Sequence, residues 1–183
     1  MKIAIDAGHG MGNRTPNVFD PGAVDGKLRE ADITLAWALT LKQALVEAGI
    51  PFFLTRTDNE GNCSLGRRAA RAKEAGCTRF IAIHVDSTPG ASGFSTYYRN
   101  TAGKAWATMA GNALAKATGL KNRGVKLESE TQHSRLAVLD FSSTGPACLI
   151  EVGFIEKDGK VITDKATRVK FAAELVAALK AMM

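Results

Sequence analysis

Apolar residues in this chain form short continuous runs, and these runs alternate with longer segments that repeat with helical periodicity. The runs predict six strands, at residues 2–6, 51–56, 79–85, 93–99, 136–139 and 147–152. Continuous apolar runs, as opposed to alternating ones, are typical of parallel strands that are covered on both faces. The pattern therefore favours a mostly parallel sheet that is buried inside the protein.

Helical periodicity is clearest after Glu30, where apolar side chains recur every four residues as far as Ala48 and Gly49 suits the end of the helix. Three further helices are predicted, from a Ser64 cap to Ala75, from Thr101 to Thr118, and from an Asp164 cap to about Ala181. The first of these three is rich in basic residues and is expected to face solvent. Residues 11–26 contain several Gly and Pro residues and residues 120–134 are polar, so both segments are predicted to be loops.

Strands and helices alternate along the whole of residues 1–183, which is the arrangement of α/β proteins. We therefore predict a three-layer α/β fold, with a mostly parallel sheet of about six strands and helices on both faces. The length suits one domain, and the sequence contains no internal repeat, low-complexity tract or interdomain linker. A single domain over residues 1–183 is the expectation.

Charge and hydropathy narrow the range of partners. The formal net charge of +6 favours attraction to polyanions, but the basic residues are scattered and no basic stretch is rich in aromatic residues. We therefore expect no nucleic-acid partner. No apolar run reaches the roughly 18 residues that a membrane span requires, so membrane insertion is not expected either. The first strand begins at residue 2, where a signal peptide would otherwise lie.

The three cysteines, Cys63, Cys77 and Cys148, are widely spaced and lie in or beside apolar runs. An odd count without CxxC spacing argues against a disulfide framework and against a cysteine zinc knuckle. We expect core thiols, in a chain that needs no crosslinks.

Two histidines lie at the ends of predicted strands. His9 stands between Gly8 and Gly10 directly after the first strand, and His84 lies near the end of the run at 79–85. In open α/β sheets, ligands bind at the carboxyl ends of the strands. A phosphate-cradling glycine loop is the rival interpretation for His9, but no helix follows the glycines as that motif requires. For His84 the alternative is a hydrogen-bonded core histidine.

Two carboxylates complete a possible hydrolytic zinc site. Catalytic zinc takes three protein ligands, so with two histidines a carboxylate is needed unless His133 serves. Glu30 is placed to be that ligand at the start of its helix, or else it only stabilises the helix N-terminus. Glu151 interrupts an apolar run, where a carboxylate is costly unless it is paired or protonated. It is either the partner of a buried Arg56 or a general base with a raised pKa.

These residues lie in a series of short motifs that covers nearly the whole chain. In order, the motifs are IAIDAGHG at 3–10, Asp20-Pro21-Gly22-Ala23, Glu30-Ala31-Asp32, Thr55-Arg56, Leu65-Gly66-Arg67-Arg68, Ile83-His84, Arg123-Gly124-Val125 and Glu151-Val152-Gly153-Phe154. The series resembles the zinc-dependent N-acetylmuramoyl-L-alanine amidases, which cut peptidoglycan. The resemblance implies that His9, Glu30 and His84 hold Zn²⁺ and that Glu151 is the catalytic carboxylate.

By the same resemblance, the expected reaction is hydrolysis of the amide between N-acetylmuramic acid and the L-alanine of the stem peptide. The alternatives are a zinc peptidase that cuts within the stem and a catalytically silent wall-binding module. We expect a monomeric catalytic domain without wall-binding repeats, with peptidoglycan as partner and an open cleft. A basic domain of this kind resembles a phage or prophage lysin, which is held in the cytoplasm until it is released to the cell wall.

Two positions depart from the family pattern. The loop between Gly10 and Asp20 is longer than usual, and Asp86 stands where the family has Asn. We expect Asp86 to lie next to the metal ligands without being one. His133 has no counterpart in the pattern, and contact with substrate is one possible role for it.

Overall fold

The computed structural model describes all residues, 1–183. In chain order the strands are β1 (Ile3–Ala7), β2 (Gly10–Met11), β3 (Phe19–Asp20), β4 (Val24–Asp25), β5 (Leu28–Arg29), β6 (Phe52–Leu54), β7 (Arg79–Asp86), β8 (Phe94–Tyr98), β9 (Asn122–Leu127) and β10 (Ala147–Phe154). The α-helices are α1 (Glu30–Glu47), α2 (Leu65–Glu74), α3 (Thr101–Thr118), α4 (Ile155–Thr163) and α5 (Lys165–Lys180). Two 3₁₀ helices cover Glu128–Glu130 and Ala137–Ser143.

Six strands form one central sheet in the order β6-β1-β7-β10-β8-β9. Every neighbouring pair is parallel except β10 with β8. The inner strands β1, β7 and β10 carry the continuous apolar runs because each is covered on both faces. The predicted fold, a mostly parallel α/β sheet of six strands, is confirmed.

Alternate side chains of the central strands contribute to two separate cores. Ile3 and Ile5 belong to the larger core, which α1, α3, α4 and α5 cover. Ala4 points to the opposite face and joins a smaller core under α2 and the second 3₁₀ helix. There the rings of Phe80 and Phe141 stack with their centroids 5.4 Å apart. Because both faces are closed, only the ends of the strands are left for chemistry.

Two of the predicted elements are wrong in the same region of the chain. Residues 122–127, expected in a loop, form β9, and residues 136–139, expected to be a strand, enter the second 3₁₀ helix. β9 is an edge strand whose side chains are mostly exposed or half-buried, so its backbone pairing with β8 leaves no apolar run in the sequence. Val138 and Leu139 are apolar because they cover the smaller core. A short helix with one buried face has the same kind of apolar run as a strand, so the sequence pattern did not distinguish the two.

Helix α2 does not simply face solvent, as its basic residues led us to expect. Arg67 is exposed, but the neighbouring Arg68 is buried in an ion pair with Asp6, which is itself fully buried. Helix α4 was not predicted at all, since Gly159 interrupts it. This glycine allows close packing, because a Cβ there would lie 3.0 Å from Leu28.

Residues 11–26 contain no helix, as predicted, but two small hairpins, β2–β3 and β4–β5, lie within residues 10–29. All three cysteines are buried and unpaired, which confirms the expected core thiols. None of the helices has the length and apolar character needed to cross a membrane.

Candidate metal centre and active site

Three predicted ligands meet at the carboxyl edge of the sheet. His9, Glu30 and His84 each offer one ligand atom, and these atoms all lie within 4.8 Å of one another. The meeting follows from the strand register, since β1 pairs with β7 in parallel as far as Ala7 opposite Ile83. Both histidines therefore emerge at the same edge, and α1 starts beside them with Glu30 in its first turn.

Glu30 is nearly inaccessible to solvent, yet its environment holds it ionised. Oε1 accepts hydrogen bonds from the backbone N–H of Val85 (2.9 Å) and lies 2.9 Å from Nδ1 of His84. Oε2 accepts one from the N–H of Ala23 (2.9 Å) and lies 3.1 Å from Nε2 of His9. Burial alone would raise the pKa of Glu30, but the hydrogen bonds and charges of the two histidines outweigh it and keep this pKa well below its usual range.

Asp20 orients His9 from the side opposite Glu30. Its Oδ2 lies 3.0 Å from Nδ1 of His9 and accepts a hydrogen bond from Nδ2 of Asn13 (2.7 Å), while Oδ1 accepts one from the N–H of Gly22 (3.0 Å). These bonds outweigh the effect of burial and lower the pKa of Asp20 to about 2. A carboxylate on one ring nitrogen fixes the tautomer and frees the other nitrogen for a metal. We did not single out Asp20 from the sequence.

Two glycines permit the close packing of these ligands. A Cβ on Gly8 would lie 2.5 Å from Cε1 of His84, which is too close for a van der Waals contact. A Cβ on Gly22 would lie 2.5 Å from Oε2 of Glu30 and 2.8 Å from Cδ2 of His9. Gly8 and Gly22 are therefore needed because a side chain at either position would collide with the ligand residues.

Two buried arginines hold the turn that presents His9 by hydrogen bonds to its backbone carbonyls. His9 has a φ of 60°, a left-handed conformation that is unusual for a non-glycine residue. Arg68 donates to the carbonyls of Ala7 (2.6 Å) and His9 (2.7 Å). Arg56 donates to the carbonyls of Ala7 (2.9 Å) and Gly8 (2.8 Å). Where the chain leaves the sheet, these backbone carbonyls have no neighbouring strand to bond to. The two guanidinium groups supply hydrogen-bond donors in its place.

Glu151 lies beside His84, its partner in the β10–β7 register. Its Oε2 is buried and has no hydrogen-bond partner. Burial raises the pKa of Glu151 well above its usual value, and the nearby charges of Glu30 and Asp86 add to the shift. The alternative of an ion pair with Arg56 is wrong, because that guanidinium donates to backbone carbonyls and to Asn59 and Thr34. A carboxylate of this kind can hold a proton at a pH where an ordinary glutamate is ionised.

The cluster opens into a cleft of about 960 Å³. Glu151 and Asp86 line it, as does His133, which lies in the cleft wall and outside the ligand cluster. The alternative in which His133 replaces Glu30 as third ligand therefore finds no support. Asp86 hydrogen-bonds the N–H of Ser87 and influences the site through its charge on Glu151.

The donor set fits a divalent metal. Two imidazoles and one carboxylate form one of the ligand sets that catalytic zinc sites use, and the Asp20–His9 contact supplies the orienting carboxylate such sites usually have. A buried carboxylate without a partner stands beside the cluster. Fold and side chains together have the layout of a single-metal hydrolase.

The profile of the N-acetylmuramoyl-L-alanine amidase family (Amidase_3) matches residues 3–181. This chain belongs to that family. It is 32% identical over 182 residues to the endolysin of Bacillus phage SPP1, a match that covers 94% of this chain and 62% of the phage protein. An uncharacterized Clostridium perfringens protein is 28% identical over 173 residues, and 48% of its length is covered. The chain thus spans about half of the length of one relative and somewhat less than two thirds of the other.

Solved structures of similar proteins cover the chain almost completely. The catalytic domain of CwlV, an N-acetylmuramoyl-L-alanine amidase from Bacillus (Paenibacillus) polymyxa var. colistinus, has 29% identity and a TM-score of 0.83, covering 99% of this chain and 97% of that one. The amidase AmiC2 of Nostoc punctiforme has 25% identity and a TM-score of 0.82, with 100% and 97% covered. The whole chain therefore has the fold of these amidase structures.

Proposed function

We propose that this chain is a zinc-dependent amidase that hydrolyses the bond between N-acetylmuramic acid and the L-alanine of the peptidoglycan stem. The observation that carries the proposal is the convergence of His9, Glu30 and His84 beside the unpaired Glu151. The family match over residues 3–181 supports this choice of scissile bond. A bound Zn²⁺ would supply Lewis acidity, which polarises a carbonyl and lowers the pKa of water.

The chain's own residues supply the ligands and the proton transfer. His9 would bind through Nε2, since Asp20 occupies Nδ1, and Glu30 would contribute a carboxylate oxygen next to it. Glu151 would accept a proton from the attacking water and pass it to the leaving amine of L-alanine. Its raised pKa suits both halves of that task, because the group must be basic enough to take the proton and acidic enough to return it.

The place of action and the extent of the working unit are part of the proposal. One of the relatives is a phage endolysin, which supports a role as a lysin that reaches peptidoglycan after release from the cytoplasm. The net charge of +6 would favour adsorption to an anionic wall. We propose that residues 1–183 act as one monomeric catalytic domain, and the sedimentation coefficient of the active species tests this.

Digestion of purified sacculi separates the proposed reaction from its alternatives. Mass spectrometry should show glycan strands without peptides and intact stems that begin with a free L-alanine. Shortened stems still attached to muramic acid would identify a peptidase, and undigested sacculi with protein bound to them would identify a wall-binding module. Chelation should stop hydrolysis, zinc should restore it, and metal analysis should find close to one zinc per chain.

A further inference from the structure

One part of the cleft lining is the segment 132–136, which Arg99 holds in place. This arginine, which follows β8, donates to the carboxylates of Glu128 and Asp140 and to the carbonyl of Leu136 (3.1 Å). Glu128 in turn accepts a hydrogen bond from the N–H of Leu136 (2.7 Å). The segment between the two 3₁₀ helices is therefore tied at both its start and its end.

Arg135 projects from this fixed wall. The cleft lining includes Arg135 together with Gln132 and His133, whereas Arg99 lies behind the wall. One nitrogen of Arg135, Nη2, donates to both oxygens of Asp140 (2.8 and 2.9 Å). This contact orients the guanidinium and leaves its Nε and Nη1 donors without a protein partner. The side chain is 68% exposed, so a ligand in the cleft can reach it.

The free Nε and Nη1 donors of Arg135 determine which group of a ligand it can bind. Asp140 is shared by Arg99 and Arg135, and Glu128 pairs with Arg99, so two guanidinium and two carboxylate groups lie together here. The unpartnered Nε–H and Nη1–H groups of Arg135 are charged donors, which bind a carboxylate oxygen more strongly than a neutral acceptor. Arg135 is therefore a place in this cleft where a ligand carboxylate is favoured.

We infer that Arg135 binds a free carboxylate of the stem peptide and gives the site a preference for acidic over amidated stems. This inference rests on the proposed function for the identity of the peptide. The glutamate of the stem is linked through its side chain, and its remaining carboxyl group is either free or amidated. Only the free form offers two acceptor oxygens to Arg135.

Equilibrium binding of two synthetic peptides tests the inference without requiring turnover. The probes are L-Ala-γ-D-Glu-L-Lys-D-Ala with the glutamate α-carboxyl free or amidated, titrated into the zinc-loaded full chain by calorimetry. We expect the free acid to bind about tenfold more tightly, the effect of one charge-assisted hydrogen-bonded pair. Arg135→Gln should remove the preference by weakening only the acidic peptide, and Arg135→Lys should retain part of it. Lys116→Gln, an equal charge change on α3, should leave it intact.

The same two stems attached to the disaccharide then give the ratio of kcat/KM values. Equal affinities of the wild-type chain for the two peptides would overturn the inference, as would an Arg135→Gln chain that weakens both equally. A binding preference in a chain that hydrolyses neither muropeptide would uphold the subsite and refute the amidase proposal. Thermal unfolding midpoints of the variants close to that of the wild type would show that the wall stays folded.

Discussion

Nη2 of Arg68 donates a hydrogen bond to the backbone carbonyl of His9 at 2.7 Å, which joins helix α2 directly to the turn that presents the first ligand. The neighbouring Nη1 pairs with Oδ1 of Asp6 at 2.8 Å, and both side chains are buried. One guanidinium thus neutralises a buried acid and sets the position of the ligand. The two tasks can be separated by substitution.

Arg68→Lys should weaken zinc binding more than it weakens the fold. Lysine keeps a cation for Asp6 but lacks the second nitrogen that reaches His9, so the left-handed turn loses its support. Arg68→Met leaves the buried Asp6 with its hydrogen bond from Thr55 but without a counter-ion, and should reduce the free energy of unfolding by about 3–5 kcal/mol. Zinc competition with a chromogenic chelator and urea unfolding measure the two effects. Arg67→Met, an exposed neighbour on α2, is the control. Unchanged zinc affinity in the lysine variant would refute the positioning role.

Glu151→Gln should abolish hydrolysis while zinc stays bound. Loss of a general acid–base group lowers kcat by a factor of about 10² to 10⁴. Glutamine has nearly the same shape, so the metal content should remain close to that of the wild type. Residual activity above a tenth of the wild-type value would reject Glu151 as the proton carrier.

The same variant should be more stable than the wild type in the metal-free form at neutral pH. Burial raises the pKa of Glu151 in the folded chain, whereas the unfolded chain ionises near 4.5. The wild type therefore carries no penalty below pH 4.5 and a growing one as the pH rises from there towards the folded pKa. Urea midpoints of the wild type and the Gln variant should coincide at pH 4 and diverge at pH 7. A constant difference across that range would show that ionisation of Glu151 is not its cause.

Asp20→Asn should lower zinc affinity by about tenfold to a hundredfold, since the orienting acceptor on Nδ1 of His9 loses its charge. Asp25→Asn makes the same change in an exposed hairpin and should have no effect. Dissociation constants from chelator competition decide the matter. Equal constants for both variants would mean that Asp20 does not tune the ligand.

Gly8→Ala should prevent correct placement of His84, because the new methyl group would lie 2.5 Å from its ring. The expected result is loss of bound zinc, measured by metal analysis after gel filtration. Gly66→Ala, where nothing lies within 4 Å, is the matched control and should retain zinc while raising stability by about 0.4–1 kcal/mol. Full zinc occupancy in Gly8→Ala would contradict the packing argument.

The sequence was informative at two positions where a polar residue interrupts a buried strand. Glu151 and His84 lie inside apolar runs of β10 and β7, and a group so costly to bury stands out in the pattern. His9 was visible through the two glycines around it. These signals are local, which is why the fold class and the four candidate residues could be predicted before their distances were known.

Other parts of the site depend on partners that are distant in sequence. Arg68 is one of several basic residues on α2, and its burial follows from Asp6, which lies in β1. Asp20 lies in a loop, and only the folded hairpin brings it to His9. β9 could not be distinguished from a loop because an edge strand is held by backbone hydrogen bonds, which leave no hydrophobic pattern.

Strand β7 lies between β1 and β10, so it separates the histidine turn from the acid that would move the proton. All three ligands lie within the first 84 residues, whereas Glu151 reaches the site only through the pairing of β10 with β7. Local opening of the β10–β7 pairing would therefore remove Glu151 from the site and stop hydrolysis, while the metal ion stayed bound to its three ligands. A chain caught in this state would carry its full complement of metal and do nothing with it, so metal content alone cannot serve as an assay of competence.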